Sequence, residues 1–495
     1  MLFRFWGNSK SAQYDALSTS EWGLSYSNPS IRLSLTRWTK RRRSLIVSLF
    51  ALVGVISLTV YLAVHLEVGR RRFWLKIFGP ADLPPLYPEF RQAELELPQH
   101  HAKDPFAGGQ KYLWVASHTW WSGWGNFMQD MVMTAHLTYK SGRTYVFDEF
   151  TWDRYGPEYT FYNGKWIPSR IPLSAVISGP IVGGRFPDGD ATPRAISKSH
   201  WQKICPHPTV VDGAEVRKLH GGGASALKIV ETWVEYLNGI EDPCVEVPSD
   251  SGSMFHPFLL SMFGRRDEML PVWPTLSQSP ILTLFGWSTL AHHAFEANRH
   301  LFSPDTLIQP YVATDSCPQC ADPYRPLPGL LALHLRRGDF IPHCPNLAHW
   351  GAGFNAFNSF PEFPDQWQSP QGDDEERMAV YLRRCLPTIE QIVEKIEAVR
   401  NSTEGLRNIY IMTNGDKAWL AQLEYALRKM HVWDKIATSR DMVQTPEEIY
   451  ISQATDMLIG QRAQVLIGNG FSSMTSNIAM LRMAKGMPPE STRMW

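Results

Sequence analysis

One short stretch of this chain combines charged residues with the pattern of a buried strand. Residues 331–340 read LALHLRRGDF, apolar at first and then carrying His334, Arg336, Arg337 and Asp339. Because a strand alternates its side chains between two faces, His334 and Arg336 share one face and Arg337 lies on the other. Adjacent arginines at the end of a buried strand need anionic partners, since an unpaired buried charge is costly. Asp339 would satisfy one arginine, and the donor fork of the other suits a diphosphate. The alternative is a purely structural Arg–Asp pair.

Two glycine-containing turns could contact the same anion. In Gly123-Trp-Gly-Asn126, ahead of a predicted helix, the glycines let the backbone approach a ligand and Asn126 can donate and accept hydrogen bonds. In Ile467-Gly-Asn-Gly-Phe-Ser-Ser473, a strand runs into a helix whose free N–H groups and dipole attract phosphate. Ordinary N-capping by Asn126 or by a serine is the alternative in each case. Together the three stretches favour a diphosphate ligand.

Hydrophobic periodicity places these motifs in two regions where strands and helices alternate. The first has strands at 111–117 and 144–147 around a helix at 127–139. The second has strands at 331–335, 408–413 and 464–468, and helices at 378–399, 417–430, 447–459 and 472–484. The pattern predicts an α/β fold with two Rossmann-like domains, in which ligands bind where strand ends meet helix N-termini. Between 150 and 325 it is weaker, with helices predicted at 227–237 and 281–302. The Pro- and aromatic-rich segment 341–374 is read as a loop that either lines the acceptor side or is a surface insertion.

Composition restricts the class of ligand. The 495 residues include 48 Lys and Arg and 48 Asp and Glu, so the formal net charge is zero. General nucleic-acid binding relies on a broad basic surface, which this balance argues against. An anionic ligand must therefore be held by a local site.

A membrane anchor is predicted near the N-terminus. Residues 45–64 form an uncharged run long enough to cross a bilayer, with the larger basic cluster on its N-terminal side. All six cysteines and the sequon at Asn401 follow the run, as expected for an oxidising compartment. We expect a single-pass type II protein of the Golgi or endoplasmic reticulum membrane with a lumenal catalytic domain. The predicted segments are a cytosolic tail (1–43), a transmembrane helix (44–66), a stem (67–108), an N-terminal domain (109–325) and a C-terminal domain (326–495).

The motifs resemble those of a known family. HLRRGDF resembles the H-x-R-R-x-D-F motif of protein O-fucosyltransferases, which use GDP-fucose and have the GT-B fold. Gly123-Trp-Gly-Asn126 is similar to the N-terminal glycine turn of that family. The run from Asp456 to Arg482 is similar to its last donor-binding motif. The resemblance implies inverting transfer of fucose from GDP-fucose to a hydroxyl of a protein or glycan, without a metal or a further cofactor.

The resemblance also implies roles for individual residues. Arg336 would contact the β-phosphate and stabilise the charge that develops on the leaving GDP. Asn126 would lie close to the reacting centre. The implied substrate-binding residues are Gly123, Gly125, His334, Asp339, Asp456, Ser472 and Ser473.

The chain departs from the family at the general base. Some relatives have a Glu in the first glycine turn, where this chain has Trp and Asn. Glu149, or its neighbour Asp148, could deprotonate the acceptor from the end of the next strand, although capping of the following turn is equally compatible with the sequence. The donor phosphate itself is the other possible base.

Other metal or thiol chemistry is the less favoured interpretation. Asp188-Gly-Asp190 has the D-x-D form of metal-dependent GT-A glycosyltransferases, so such an enzyme is one alternative. A non-catalytic glycan-binding protein on the GT-B fold is another. The histidines 292, 293 and 300 lack the i, i+4 spacing of zinc helices. Cys317 and Cys320 are predicted to form structural disulfides, because zinc would need a second close pair.

Overall fold

The structure is a computed structural model, and it describes residues 83–251, 254, 266–303 and 322–495. Every described residue belongs to the second of the two units of the chain, a compact unit that spans 83–495. The predicted tail and membrane span, together with Cys317 and Cys320, lie outside the described residues. Within the described part of the chain, no helix has the length and apolarity needed to cross a bilayer.

Two five-stranded sheets, both parallel throughout, organise the second unit. The first sheet has the strand order β3-β2-β1-β5-β4 and the second has the order β8-β7-β6-β9-β10. The strands are β1 (Tyr112–Val115), β2 (Thr144–Phe147), β3 (Ile196–Ser197), β4 (Thr209–Val210), β5 (Cys244–Val247), β6 (Leu327–Leu335), β7 (Asn408–Thr413), β8 (Lys435–Thr438), β9 (Ala463–Gly468) and β10 (Thr492–Met494). This arrangement confirms the predicted α/β class with parallel sheets.

Helices connect most successive strands, whereas β2 and β3 are joined by short strands and turns without an α-helix. The helices are α1 (Pro88–Leu95), α2 (Trp124–Lys140), α3 (Lys198–Ile204), α4 (Gly213–His220), α5 (Ala226–Asn238), α6 (Thr289–Ala297), α7 (Phe340–Trp350), α8 (Asp374–Cys385), α9 (Ile389–Ser402), α10 (Lys417–Arg428), α11 (Pro446–Tyr450), α12 (Ser452–Arg462) and α13 (Ser473–Ala484). Three further helices of four residues each lie at Arg266–Met269, Trp273–Leu276 and Pro280–Thr283.

The central strand β6 explains why the second sheet holds a precise site. Eight of its nine residues are buried, because helices cover both faces of a parallel sheet. Leu331, Leu333 and Leu335 pack into one apolar cluster with α9 and α10, while Leu330 and Ala332 belong to the other cluster. A strand buried on both sides cannot slip in register, so its C-terminal end is fixed in position.

Several local predictions were wrong, each for an identifiable reason. The single helix predicted at 378–399 is two helices, α8 and α9, separated around Pro387, since proline interrupts a helix. The helix predicted at 281–302 is broken by a short strand at Gly286–Trp287. Part of the predicted loop 341–374 forms α7, although Pro345 lies inside it. Part of the predicted stem is folded: Tyr87 is buried, and its hydroxyl donates to the Glu447 carbonyl across 2.8 Å.

Two disulfides staple the described unit. Cys205–Cys244 joins the end of α3 to the first residue of β5, and Cys344–Cys385 joins α7 to α8. Both close loops of about forty residues, a length at which a cross-link removes substantial entropy from the unfolded chain. The predicted use of cysteines for structural disulfides is confirmed for these four residues.

Candidate active site

The candidate site is built on the C-terminal edge of the second sheet, where β6 and β9 lie side by side. His334, one residue before the end of β6, is buried, and its Nδ1 lies 2.7 Å from the Thr475 hydroxyl in α13. That hydroxyl also accepts the Asn469 N–H across 3.1 Å. Burial, assisted by Arg336, lowers the pKa of His334 to about 3, so the imidazole is neutral.

Arg336 lies at the end of β6 in a partly open environment. Its Nη2 lies 2.5 Å from Asp339 Oδ2, and its guanidinium lies 4.5 Å from the centre of the Phe340 ring. Asn414, at the end of β7, donates to the other oxygen of Asp339 across 2.6 Å. The buried Nε of Arg336 has no hydrogen-bond partner among the described residues. A buried donor without a partner calls for a ligand or another explanation, and the Nε atoms of Arg337 and Arg400 are in the same state.

Arg337 corrects one part of the sequence interpretation. We expected this arginine, on the opposite face, to pair with an acid. Instead its guanidinium lies 4.2 Å from the centre of the Trp419 ring, and its Nη2 donates to the Pro387 carbonyl. Aromatic stacking and a carbonyl replace the carboxylate, because a planar guanidinium can use both. Asp339 therefore binds Arg336, the arginine expected to hold the diphosphate.

The helix start after β9 leaves its polar groups available. Ser472 is the N-cap of α13, but its hydroxyl makes no capping hydrogen bond, so ordinary serine capping does not explain this residue. Ser473 is the first helical residue and is partly exposed. A twelve-residue helix with free first-turn N–H groups beside an arginine forms a suitable phosphate site. Ser472, Ser473 and His334 are thus brought together on one sheet edge.

The segment after α7 fixes this helix start, a role that the sequence did not predict. Asn358 Nδ2 donates to the carbonyls of Gly470 and Ser472 across 2.8 and 3.1 Å. Phe354 covers Gly470 so closely that a Cβ there would lie 2.4 Å from its ring. At these residues the segment is therefore not a surface insertion, and its predicted place on the acceptor side stays a prediction. The Phe and Asn residues between 354 and 358 were the available signal, but their partner is 112 residues away.

The first glycine turn contacts the start of α13. Gly123 is the N-cap of α2, so Asn126 is not the cap, and its half-buried side chain makes no hydrogen bond within the described part of the chain. A Cβ on Gly125 would lie 2.7 Å from Ser473 Oγ and 2.9 Å from the Met474 nitrogen, whereas one on Gly123 would meet nothing within 4 Å. Gly125 is therefore required for close packing of the turn against α13.

Two buried amides reinforce the contact between the turn and α13. Gln129 Nε2 donates to Asn355 Oδ1 and to Ser476 Oγ, both across 2.8 Å. Asn477 donates to the Gly125 carbonyl across 2.8 Å. Buried N–H groups paired in this way specify one arrangement, because losing the acceptor leaves a desolvated donor unsatisfied. The sequence offered no signal for them.

Asp456 lies in α12 and contacts a different part of the sheet. Tyr410, in β7, donates to Asp456 Oδ1 across 2.8 Å. Burial raises the pKa of Asp456 to about 7, against the lowering effect of that hydrogen bond. Its described contacts do not include Arg336, His334 or the two serines, so its predicted role at the nucleotide stays a prediction.

The two candidate bases are held by cations at the end of β2. Asp148 Oδ2 lies 2.9 Å from Lys198 Nζ and 3.2 Å from His118 Nε2, and Asp148 Oδ1 accepts the Glu149 N–H. Hydrogen bonding and the positive charges hold the pKa of Asp148 well below its usual range despite its burial. Glu149 faces Arg91 through one oxygen and Arg170, 4.0 Å away, through the other. Neither carboxylate is placed as a free proton acceptor.

The metal alternatives find no support. Asp190 is occupied by the Tyr139 hydroxyl, 3.0 Å away, and by the Thr192 N–H, 2.9 Å away, while Asp188 is exposed. His293 Nδ1 lies 2.5 Å from Glu448, which also caps α11. Among the residues that the structure describes, no group of three His, Cys, Asp or Glu side chains is arranged to hold a metal ion.

Comparison with known proteins agrees with the motif. Residues 320–485 match the family described as GDP-fucose protein O-fucosyltransferase. A search of curated proteins finds no match. The matched region contains β6, β7, β8, β9 and all of α13, together with Arg336 and the glycine–serine turn.

Similarities to solved structures are distant. POFUT1 in complex with GDP-fucose is 14% identical over 79% of this chain and 98% of its own, with a TM-score of 0.46. The fucosyltransferase NodZ from Bradyrhizobium is 11% identical over 75% and 92%, with a TM-score of 0.35. A mutant of Arabidopsis thaliana FUT1 in complex with GDP is 11% identical over 80% and 73%, with a TM-score of 0.34. The family match, rather than these low scores, supports the assignment. Residues 320–485 are thus similar to the GDP-fucose protein O-fucosyltransferase family.

Proposed function

We propose that this protein transfers fucose from GDP-fucose to a hydroxyl of a protein or glycan acceptor, with inversion and without a metal. The observation that carries the proposal is Arg336 with its unpartnered buried Nε, beside a helix start whose serine hydroxyl is unused, inside the region that matches the family. These groups together form a concentrated set of donors for a diphosphate.

The chemistry follows from the charge that develops during transfer. Cleavage of the bond between fucose and phosphate places negative charge on GDP, and preorganised donors stabilise that charge as it forms. Arg336 supplies the largest share because it carries a full charge. His334 at the same edge is neutral, and the N-terminus of α13 adds its dipole.

The deprotonation of the acceptor hydroxyl has no assigned protein base. Asp148 and Glu149 are both engaged by cations, so we favour the phosphate oxygen of the departing donor as the proton acceptor. Asn126 has an unused amide in the turn next to α13, where it can orient the acceptor hydroxyl or the sugar.

The cellular location of the protein is also proposed. A membrane anchor at residues 45–64 would place this unit in the lumen of the Golgi or endoplasmic reticulum, and the two disulfides suit an oxidising compartment. Protease protection of a tagged protein in sealed microsomes tests this orientation.

The direct test is a transfer assay with a panel of GDP- and UDP-sugars, scored for nucleotide release and for a fucosylated product. We expect GDP-fucose to be preferred, the product to be the α-linked fucoside because inversion converts the β anomer of the donor, and the rate to be unchanged in EDTA. Release from UDP-sugars that is abolished by EDTA would instead favour the metal-dependent alternative. Binding of GDP without release from any GDP-sugar would favour the non-catalytic one.

A further inference from the structure

An exposed group of aromatic side chains lies on the loops that follow β1 and β2. It consists of Trp120, Trp121 and Tyr155, and we name it the aromatic platform. The ring of Trp120 lies 6.1 Å from that of Trp121 and 5.9 Å from that of Tyr155. Trp121 is 67% exposed and Tyr155 is 75% exposed. Large aromatic side chains at such exposure gain nothing for folding, because burial is what makes them stabilising.

Trp121 also has an unfavourable backbone conformation. Its φ is +53°, in the left-handed region that costs a non-glycine residue conformational energy. A single hydrogen bond, from its N–H to the Thr151 carbonyl across 3.2 Å, holds it there. Strain at an exposed tryptophan that packs poorly is typical of a residue retained for binding.

The platform has a rigid foundation. The guanidinium of Arg154 lies 5.4 Å from the centre of the Trp120 ring. Its nitrogens donate to the carbonyls of Ala116 and His118, at the end of β1. The rings are therefore presented on a fixed sheet edge, which lowers the entropy that a ligand must overcome.

The platform is continuous with the donor site along the chain. Trp121 precedes the turn in which Gly125 contacts Ser473 and accepts a hydrogen bond from Asn477. The aromatic rings thus lie on the first-sheet side of the same turn that packs against the donor helix. A molecule bound on the platform would be an acceptor rather than a donor.

We propose that the aromatic platform binds the acceptor, and that this acceptor is an oligosaccharide whose sugar rings stack on Trp121 and Tyr155. The inference rests on the proposed fucosyl transfer and specifies its substrate class. The C–H groups on one face of a pyranose pack against an aromatic face, while its hydroxyls point to the rim.

The surroundings of the rings favour a sugar over a peptide anchor. The cavity under this edge, lined by His118, Phe127 and Tyr145 among others, holds only about 10 Å³, enough for no more than one water. It cannot receive a peptide side chain. The rim offers hydrogen-bonding groups for hydroxyls: Ser249, 3.2 Å from the Tyr155 hydroxyl, and the exposed carboxylate of Asp250.

The charges beside the rings suit an uncharged ligand. The guanidinium of Arg154 is engaged by two carbonyls and the Trp120 ring, and Asp153 accepts the N–H groups of Tyr155 and Gly156. One exposed carboxylate then remains, which disfavours an anionic glycan. A neutral oligosaccharide is therefore the occupant that the platform fits.

The test compares immobilised neutral oligosaccharides with unglycosylated Ser- and Thr-containing peptides as acceptors, each supplied with GDP-fucose. The full-length enzyme is used as wild type and as Trp121→Gly, Tyr155→Ala and Tyr425→Ala. Tyr425 is a matched control, since it is 62% exposed with Lys429 4.6 Å from its ring centre, but it lies in α10. GDP release in the absence of acceptor is measured in parallel.

We expect transfer to an oligosaccharide, and an acceptor KM about tenfold higher in Trp121→Gly, the size of a lost aromatic stacking contact. The KM for GDP-fucose and the acceptor-free release of GDP should stay at wild-type values in every variant. The melting temperature of Trp121→Gly should equal or exceed that of wild type, because glycine adopts the same φ without strain.

Transfer to peptides alone, or an unchanged acceptor KM in Trp121→Gly, overturns the inference while leaving fucosyl transfer intact. Absence of GDP release by the wild-type enzyme, with and without acceptor, defeats the proposed function itself and the inference with it. A lower melting temperature for Trp121→Gly would show that the tryptophan is structural and would also overturn the inference.

Discussion

The edges of the two parallel sheets treat charge in opposite ways. At the edge of the second sheet, the cation Arg336 keeps an unpartnered donor, next to a serine hydroxyl and a helix start that are also unused. At the edge of the first, the anions Asp148 and Glu149 are closed off by neighbouring cations. One edge is ready to receive an anion. At the other edge the charges are paired with each other, and the exposed groups are aromatic rings, which suit an uncharged molecule.

This difference suggests how the proposed transferase divides donor and acceptor binding between the two sheets. The donor brings two phosphates, so its site must supply positive charge that is not already neutralised. The acceptor brings hydroxyl groups, and a free carboxylate is not required if the leaving phosphate takes the proton. Three changes test this difference between the two edges. They are removal of the Arg336 charge, separation of the two edges at Gly125, and removal of the carboxylate of Glu149 at the edge of the first sheet.

Loss of the Arg336 charge is expected to have the largest effect. In Arg336→Ala, kcat should fall by about 10²–10³-fold or more, as for the loss of one preorganised donor to a developing anion. Stability should change little, because the Arg336–Asp339 pair is partly exposed and such pairs contribute little. Steady-state kinetics and thermal melting measure the two effects.

The matched control for this change is Arg428→Ala, which removes another arginine from an exposed ion pair, with Glu424 in α10. It should leave turnover unchanged. Arg336→Lys should rescue poorly, because an ammonium lacks the planar fork of donors. Turnover near the wild-type rate in Arg336→Ala would mean that the anion binds elsewhere.

Separation of the two edges is expected to have the next largest effect. In Gly125→Ala, the added methyl would clash with Ser473 and Met474, so the turn must move away from α13. Overpacking of this kind costs about 1–3 kcal/mol of unfolding free energy. We expect a lower melting temperature together with a higher KM for GDP-fucose.

Gly123→Ala provides the comparison within the same turn. Its Cβ would meet nothing within 4 Å and its φ is −65°, so the protein should fold as the wild type does. If Gly123→Ala impairs catalysis as strongly as Gly125→Ala, the turn approaches the ligand directly through Gly123. If both variants are as active as the wild type, the contact between Gly125 and α13 is not needed for catalysis.

The pH dependence of nucleotide binding tests the predicted place of Asp456. Because burial raises the pKa of Asp456 to about 7, the carboxylate becomes protonated in the folded protein as the pH falls from 8 to 6. If Asp456 accepts hydrogen bonds from the nucleotide, the affinity for GDP should decrease over that range. Asp456→Asn should bind GDP weakly at pH 8 and lack this pH dependence, as measured by calorimetry.

Stability provides a second readout of the same residue. A raised carboxyl pKa means that the folded state binds more protons than the unfolded chain between its ordinary pKa and about 7. The unfolding free energy of the wild type, relative to Asp456→Asn, should therefore fall as the pH rises through 7. If the unfolding free energy depends on pH in this way but the affinity for GDP does not, Asp456 lies away from the nucleotide.

The smallest effect is expected at Glu149. Since both oxygens face arginines, Glu149→Gln should reduce kcat by no more than about threefold, far below the 10²–10⁴-fold loss expected for a general base. The partly exposed pairs with Arg91 and Arg170 should cost at most about 1 kcal/mol of stability. A hundredfold loss of kcat without destabilisation would restore Glu149 as the base.

The parts of the site that were predicted from sequence are those encoded by neighbours along the chain. The strand pattern placed His334 and Arg336 on β6, and the glycines and serines placed a helix start after β9. Such local patterns reflect burial and backbone geometry directly. The pairing of Arg336 with Asp339 is also local, being three residues apart.

The parts that were missed depend on contacts between distant residues. Nothing near Asn358 indicated that it would hold the Gly470 and Ser472 carbonyls, and nothing near Gln129 indicated Ser476. Arg337 was assigned an acid because charge pairing is the usual solution, whereas Trp419 and a carbonyl satisfied it instead. Which of several adequate partners is used is decided by packing of the whole domain rather than by local sequence.

The central claim is that the edge around Arg336 binds the diphosphate of a guanosine nucleotide, and GDP titration by calorimetry tests it most directly. The wild type should bind GDP more tightly than it binds GMP or guanosine. Arg336→Ala should lose most of the affinity for GDP, whereas Arg428→Ala should keep it. Equal affinity for GDP in the wild type and Arg336→Ala, with both proteins folded, would contradict the account.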